Sequence, residues 1–174
     1  MLSCPWIFYN YRAVSISVTK VEKDGNQRVK QTDFEDEVIA LSKRFINEGY
    51  QVNLLSFEDS NDIPVALSIK DKVNSNKVKI DYYKENNILK IIAESELLIS
   101  TRFHCMIIGA LLNKKQIIYE YSEKTSNFAN KYGFKVYKIT GNATGKDFWQ
   151  TGFDEKEIRL SKSSIKNMEN FGGN

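Results

Sequence analysis

The only histidine in the 174-residue chain, His104, stands two positions after Arg102 in Ser100-Thr101-Arg102-Phe103-His104. Imidazole is the side chain whose ordinary charge change falls near neutral pH. The pentapeptide follows the apolar run Leu97-Leu98-Ile99 and opens a helical repeat, Phe103, Met106, Ile107, Ala110 and Leu111, so a strand hands over to a helix there. Helix starts present unpaired N–H groups that favour anions, and α/β sheets collect ligands outside the carboxyl ends of their strands. A cation in that first turn opposes the helix dipole when the end is empty and fits it when an anion is bound. Guanidinium grips phosphate or carboxylate bidentately. The structural alternative pairs Arg102 with a carboxylate such as Glu94 or Glu96, and both readings stand at this stage. His104 reads either as an interior histidine satisfied near Ser100 or Thr101, or as a proton donor.

Two further segments deliver polar groups to the same sheet edge. One is Thr19-Lys20, after the first strand. The other is Glu120-Tyr121-Ser122-Glu123-Lys124, after the strand around Ile117. Each lysine alone reads as a solvated cation; convergence of Arg102, His104 and Lys124 marks the three together. Tyr119 and Tyr121 alternate about Glu120, so one of the two points toward the ligand side.

The elements that would position these residues follow from periodicity. Residues 13–19 alternate like a strand. Thr32 and Glu35 form a capping box that starts a helix near Asp33, with Phe34, Val38, Leu41, Phe45 and Ile46 on one face and Gly49 at its end. A strand over 51–57, a helix over 61–72 with Pro64 in its first turn, a strand at 78–80 and a helix over 84–94 come next. The nearly continuous apolar strand 96–100 suits a buried parallel sheet. After the helix at 103–111 come a strand at 116–119 and a helix capped by Ser122 and stopped by Gly133. A late strand at 134–139 and a terminal helix over 154–170 complete the order. Alternating strands and helices specify a parallel sheet with right-handed crossovers. The expected fold is one α/β, three-layer Rossmann-like domain over 1–174, with a mostly parallel sheet, a core over 13–140 and an apolar lead-in over 1–12.

Composition narrows the function. A net charge of +3, with Lys and Glu interspersed, argues against nucleic acid. Cys4 and Cys105 lie far apart, and with one histidine they cannot complete a zinc site without carboxylates. Cys105, inside an apolar segment, reads as a buried small hydrophobe. This cysteine usage suits a cytoplasmic location. No apolar run of spanning length occurs, so no transmembrane segment is expected. Neither a dinucleotide fingerprint nor a P-loop is present.

The stretch Ile99 to Ile107 followed by Tyr121-Ser122-Glu123-Lys124 resembles the polysaccharide pyruvyl transferase family. That family has an R-x-H signature opening a helix, a small-residue apolar stretch behind it and a downstream Tyr-x-x-Lys. Here the stretch is Ile107-Ile108-Gly109-Ala110-Leu111-Leu112, and Val14-Ser15-Ile16-Ser17-Val18 matches the strand that opens the family's second half. The likeness covers residues 13–133. It implies transfer of a pyruvyl group from phosphoenolpyruvate to a sugar of a bacterial surface polysaccharide, giving a ketal, with no further cofactor and no metal. Arg102 would hold the donor's phosphate or carboxylate. His104 would act as general acid or stabilise charge at the enol, and Lys124 would help hold the donor. Thr101, Tyr121 and Lys20 are the other expected substrate-binding residues, and the acceptor would be a glycan or lipid-linked sugar.

Two departures accompany the resemblance. Members have two Rossmann-like halves, as in a glycosyltransferase B-type fold, and this chain resembles the second alone; a missing amino-terminal half or a homo-oligomer would complete the cleft. Members also often carry an arginine after the opening strand, where Thr19-Lys20 keeps charge without the bidentate fork. Two other readings are a nucleotide-sugar-binding half of a glycosyltransferase, with Glu120 or Glu123 toward a ribose, and a non-catalytic remnant or assembly module docking through Pro5-Trp6-Ile7-Phe8-Tyr9.

Overall fold

The computed structural model describes residues 12–21, 30–83, 87–120, 123–134 and 136–138. The lead-in before residue 12, Ser122 and the segment 154–170 lie outside them. Six strands form one parallel sheet: β1 (Ala13–Ser17), β2 (Gln51–Ser56), β3 (Val78–Tyr82), β4 (Leu97–Ser100), β5 (Gln116–Glu120) and β6 (Val136–Lys138). Their spatial order is β3-β2-β1-β4-β5-β6, and every pairing is parallel. The helices are α1 (Gln31–Asn47), α2 (Asp59–Val73), α3 (Ile88–Glu94), α4 (Phe103–Leu111) and α5 (Glu123–Tyr132). Chain direction across the sheet reverses between β1 and β4, which makes their carboxyl ends the topological switch point.

Strand alternation sends side chains to two differently covered faces. On one, Val14, Ile16, Val52, Leu54, Ile99 and Ile117 pack against Phe34, Val38, Leu41 and Phe45 of α1 and against Val65 and Ile69 of α2. On the other, Leu55 and Leu98 meet Ile88 and Ile92 of α3 and Cys105 of α4. Ile118 meets Met106, Ala110 and Ala129 there. Each fully buried aliphatic side chain contributes about 1.5–3 kcal/mol relative to exposure, so this two-faced burial dominates the stability of the described core. Burial pushes the Cys105 thiol up to about 12, in keeping with a packing role.

The start of α1 differs from the sequence expectation. Lys30 is its N-cap without a side-chain cap bond, and no Thr32–Glu35 capping box forms. The Glu35 carboxylate instead accepts from Ser68 Oγ at 2.7 Å, Lys72 Nζ at 3.0 Å and Gln31 Nε2 at 3.1 Å. It ties α1 to α2. Helix α2 begins at Asp59 and carries Pro64 in its interior rather than its first turn. Asp62 explains the early start: its Oδ2 accepts from the backbone N–H groups of Phe57 at 2.9 Å and Glu58 at 3.0 Å, satisfying donors ahead of the helix. Gly49 and Gly133 end α1 and α5 at φ +92° and +73°, where glycine avoids the Cβ clash.

At the amino edge of the sheet Arg12 forks onto Glu96, Nε to Oε2 and Nη2 to Oε1, both at 3.0 Å. The guanidinium also lies 3.9 Å above the Tyr50 ring. Glu96 is therefore committed to Arg12, and Glu94 lies 3.8 Å from Lys90. Neither is the Arg102 partner that the sequence suggested.

Candidate functional site

The site is built at the carboxyl edge, where the paired strands β1 and β4 end side by side. Ser17 ends β1, and its Oγ accepts from the backbone N–H of Thr101 at 2.7 Å and of Arg102 at 3.1 Å. The Thr101 hydroxyl donates to the Ser17 carbonyl at 2.6 Å. These contacts fix the turn between β4 and α4. Thr101 is buried, its hydroxyl turned inward as a tie between strands.

Arg102 is the N-cap of α4, extended at φ −85°, ψ 137°, one residue ahead of the helix. Its carbonyl accepts the first helical bond, from Met106 N at 3.1 Å. Its guanidinium crosses to the start of α2. Nη2 pairs with Asp62 Oδ1 and, at 3.2 Å, with Glu58 Oε2. Asp62 is wholly buried, whereas about half of the Glu58 side chain is exposed (49%). The structural alternative, Arg102 paired with a carboxylate of the protein, is realised with Asp62 and Glu58 in place of Glu94 or Glu96.

Phe103 gathers the other half of the site. Its ring lies edge-on to His104, with centroids 6.2 Å apart, and edge-on to Phe128 of α5 at 5.2 Å. Lys124, in the first turn of α5, places its Nζ 4.5 Å from the Phe103 centroid. His104 and Lys124 are both exposed and meet the same ring. Arg102 faces the other way, toward β2 and α2. The arrangement is a row along one sheet edge, with a guanidinium at one end and an imidazole and an ammonium at the other. Lys20, three residues beyond β1, is exposed at the same edge. Tyr121 lies outside the described residues. Tyr119 points into the core beside Tyr137, and burial, with the hydrogen-bonded Glu37 carboxylate, pushes its phenol well above the ordinary range.

Sequence marks polar groups at this edge after β1, β4 and β5, and the structure adds those after β2. The signal was Phe57-Glu58-Asp59-Ser60-Asn61-Asp62, an acidic run at the carboxyl end of a parallel strand. Among the described residues, no group of three or more His, Cys, Asp or Glu side chains could hold a metal ion. No described helix is long and apolar enough to cross a membrane.

Strand order 3-2-1-4-5-6 with the polar row at its switch point defines a Rossmann-like α/β domain of the kind found in glycosyltransferase B-type proteins. Two solved structures share it. Heptosyltransferase II of Escherichia coli, an ADP-heptose lipopolysaccharide enzyme, superposes with a TM-score of 0.54 at 13% identity, over 92% of this chain and 48% of that one. UDP-GlcNAc 2-epimerase from Neisseria meningitidis, bound to UDP-GlcNAc, gives 0.58 at 12% identity, over 98% and 46%. The chain thus spans about half the length of each, and such low identity carries the fold alone. No curated protein matches the sequence. The family model for polysaccharide pyruvyl transferases matches residues 13–123, well over half the chain. The chain belongs to the polysaccharide pyruvyl transferase family.

Proposed function

We propose that this chain binds phosphoenolpyruvate at the carboxyl edge of its sheet and takes part in moving the pyruvyl group to a sugar of a bacterial surface polysaccharide. Family membership supports the reaction class. The observation that carries the site is Phe103: its ring meets both His104 and Lys124, and it follows Arg102 directly at the switch point. Arg102 and Lys124 would hold the donor's carboxylate and phosphate. With His104 as general acid, protonation of the enol methylene carbon makes the adjoining carbon electrophilic. One sugar hydroxyl adds there, phosphate leaves, and a second hydroxyl closes the ketal. Of the two hydroxyl protons released, one returns to His104 and the other departs with the phosphate. The acceptor would be met together with a second Rossmann-like unit, consistent with solved neighbours about twice this length.

The test is incubation of the chain with phosphoenolpyruvate and a panel of oligosaccharides bearing free diols, followed for phosphate release and ketal formation. Both products in equal amounts, lost in His104→Ala, support the reading. Transfer that is indifferent to His104→Ala overturns its assignment as the acid.

A further inference from the structure

We propose that the two carboxylates on Arg102 have opposite roles: Asp62 is a fixed anchor, and Glu58 is a displaceable occupant that an incoming anion replaces. The proposal rests on Arg102 being the donor's anion site.

Asp62 is built in. Its side chain is wholly buried, Oδ1 meets Nη2 of Arg102, and Oδ2 accepts from two backbone N–H groups at the head of α2. Its departure would strand those donors and take the guanidinium's buried support away. Glu58 is placed otherwise. It reaches Nη2 at 3.2 Å from a half-exposed position, and Asn61 Nδ2 donates to its other oxygen at 2.6 Å. A Glu58 carboxylate that swings off Arg102 keeps Asn61 and gains water. Its backbone stays fixed, because the Glu58 carbonyl accepts from Asn61 N at 3.2 Å and Asp62 N at 2.8 Å.

Charge sets the order of the exchange. One guanidinium beside two carboxylates repels a further anion, and a Glu58 carboxylate that moves off Arg102 toward water lowers that repulsion. Both carboxylates meet the same nitrogen, Nη2, so an anion oxygen taking the place of Glu58 Oε2 makes a charge-assisted bond of the same kind.

The experiment is calorimetric titration of the full chain with inorganic phosphate and, separately, with phosphoenolpyruvate. Wild type is compared with Glu58→Gln, Asp62→Asn, Arg102→Ala and Glu94→Gln. The last removes the same charge at the opposite edge of the sheet. Glu58→Gln is expected to tighten both anions about three- to tenfold, and Asp62→Asn to weaken them by about tenfold. Arg102→Ala should abolish binding and Glu94→Gln should leave it near wild type. Glu58→Gln alone decides the matter if Asp62→Asn fails to fold, as circular dichroism would show. Unchanged affinity in Glu58→Gln, or equal tightening in Glu94→Gln, overturns the exchange while leaving the donor site standing. Phosphate binding that tightens in Glu58→Gln without any binding of phosphoenolpyruvate sustains the exchange and overturns the donor assignment. Absence of binding in every variant overturns both.

Discussion

Ser17, the last residue of β1, accepts the backbone N–H groups of Thr101 and Arg102 on one hydroxyl oxygen, at 2.7 and 3.1 Å. One small side chain thereby sets the turn from which Arg102 crosses to α2. Both partners are amides at a buried strand end, so loss of that acceptor leaves two donors without it. Ser17→Ala is expected to cost about 1–3 kcal/mol and to weaken phosphoenolpyruvate binding by misplacing Arg102. Urea unfolding beside calorimetry checks both effects. A variant of wild-type stability and affinity would remove Ser17 from this role.

Gly109 is demanded by packing. A Cβ built there falls 2.5 Å from Leu98 Cδ2 and 2.8 Å from Gln116 Oε1. Gln116 has no easy retreat, because Ser100 Oγ donates to its Oε1 at 3.0 Å and its Nε2 donates to the Met106 carbonyl at 3.2 Å. Gly109→Ala should therefore destabilise by about 1–3 kcal/mol through overpacking, despite alanine's better helix propensity. Thermal denaturation measures the sign, and an unchanged or raised midpoint would refute the close approach.

Stability should fall in acid through Glu35. Burial pushes its carboxyl upward, but hydrogen bonds from Ser68, Lys72 and Gln31 together hold it below the ordinary value of 4.5. A carboxyl with a folded pKa below its unfolded one stabilises the fold above the unfolded value. That contribution is lost as pH falls through the folded value. The stability gap between wild type and Glu35→Gln is therefore expected to shrink between about pH 6 and about pH 3, as read from urea midpoints. A gap that is constant with pH would show that Glu35 contributes no such linkage.

His104 is exposed and touches Phe103, so its removal separates catalysis from folding. His104→Ala should change stability by no more than about 0.5 kcal/mol and reduce pyruvyl transfer by about a hundredfold or more. Turnover within a few-fold of wild type would contradict its assignment as the acid.

Much of the architecture was legible because parallel strands declare themselves as apolar runs. Leu97-Leu98-Ile99 and Ile117-Ile118-Tyr119 are nearly continuous since helices cover both faces. The Phe34–Phe45 stripe located α1 for the same reason. Helix starts were read less well, since side chains such as Glu35 and Asp62 answer to partners remote in sequence. Glu35 suggested a local cap and is drawn off by Ser68 and Lys72. Asp62 serves the residues before it and Arg102, forty positions away. Arg102, His104 and Lys124 could be placed at one edge from connection order alone. That Arg102 turns toward α2, while the other two meet at Phe103, depended on side-chain geometry that spacing does not encode.

The most direct test is calorimetric titration of phosphoenolpyruvate into the purified chain and into Arg102→Ala, with the fold of each verified by circular dichroism. Saturable binding to the wild-type chain that disappears in Arg102→Ala is the expected result. Equal binding by both would contradict the assignment of Arg102 to the donor anion, and no binding by a folded wild-type chain would contradict a donor site at this sheet edge.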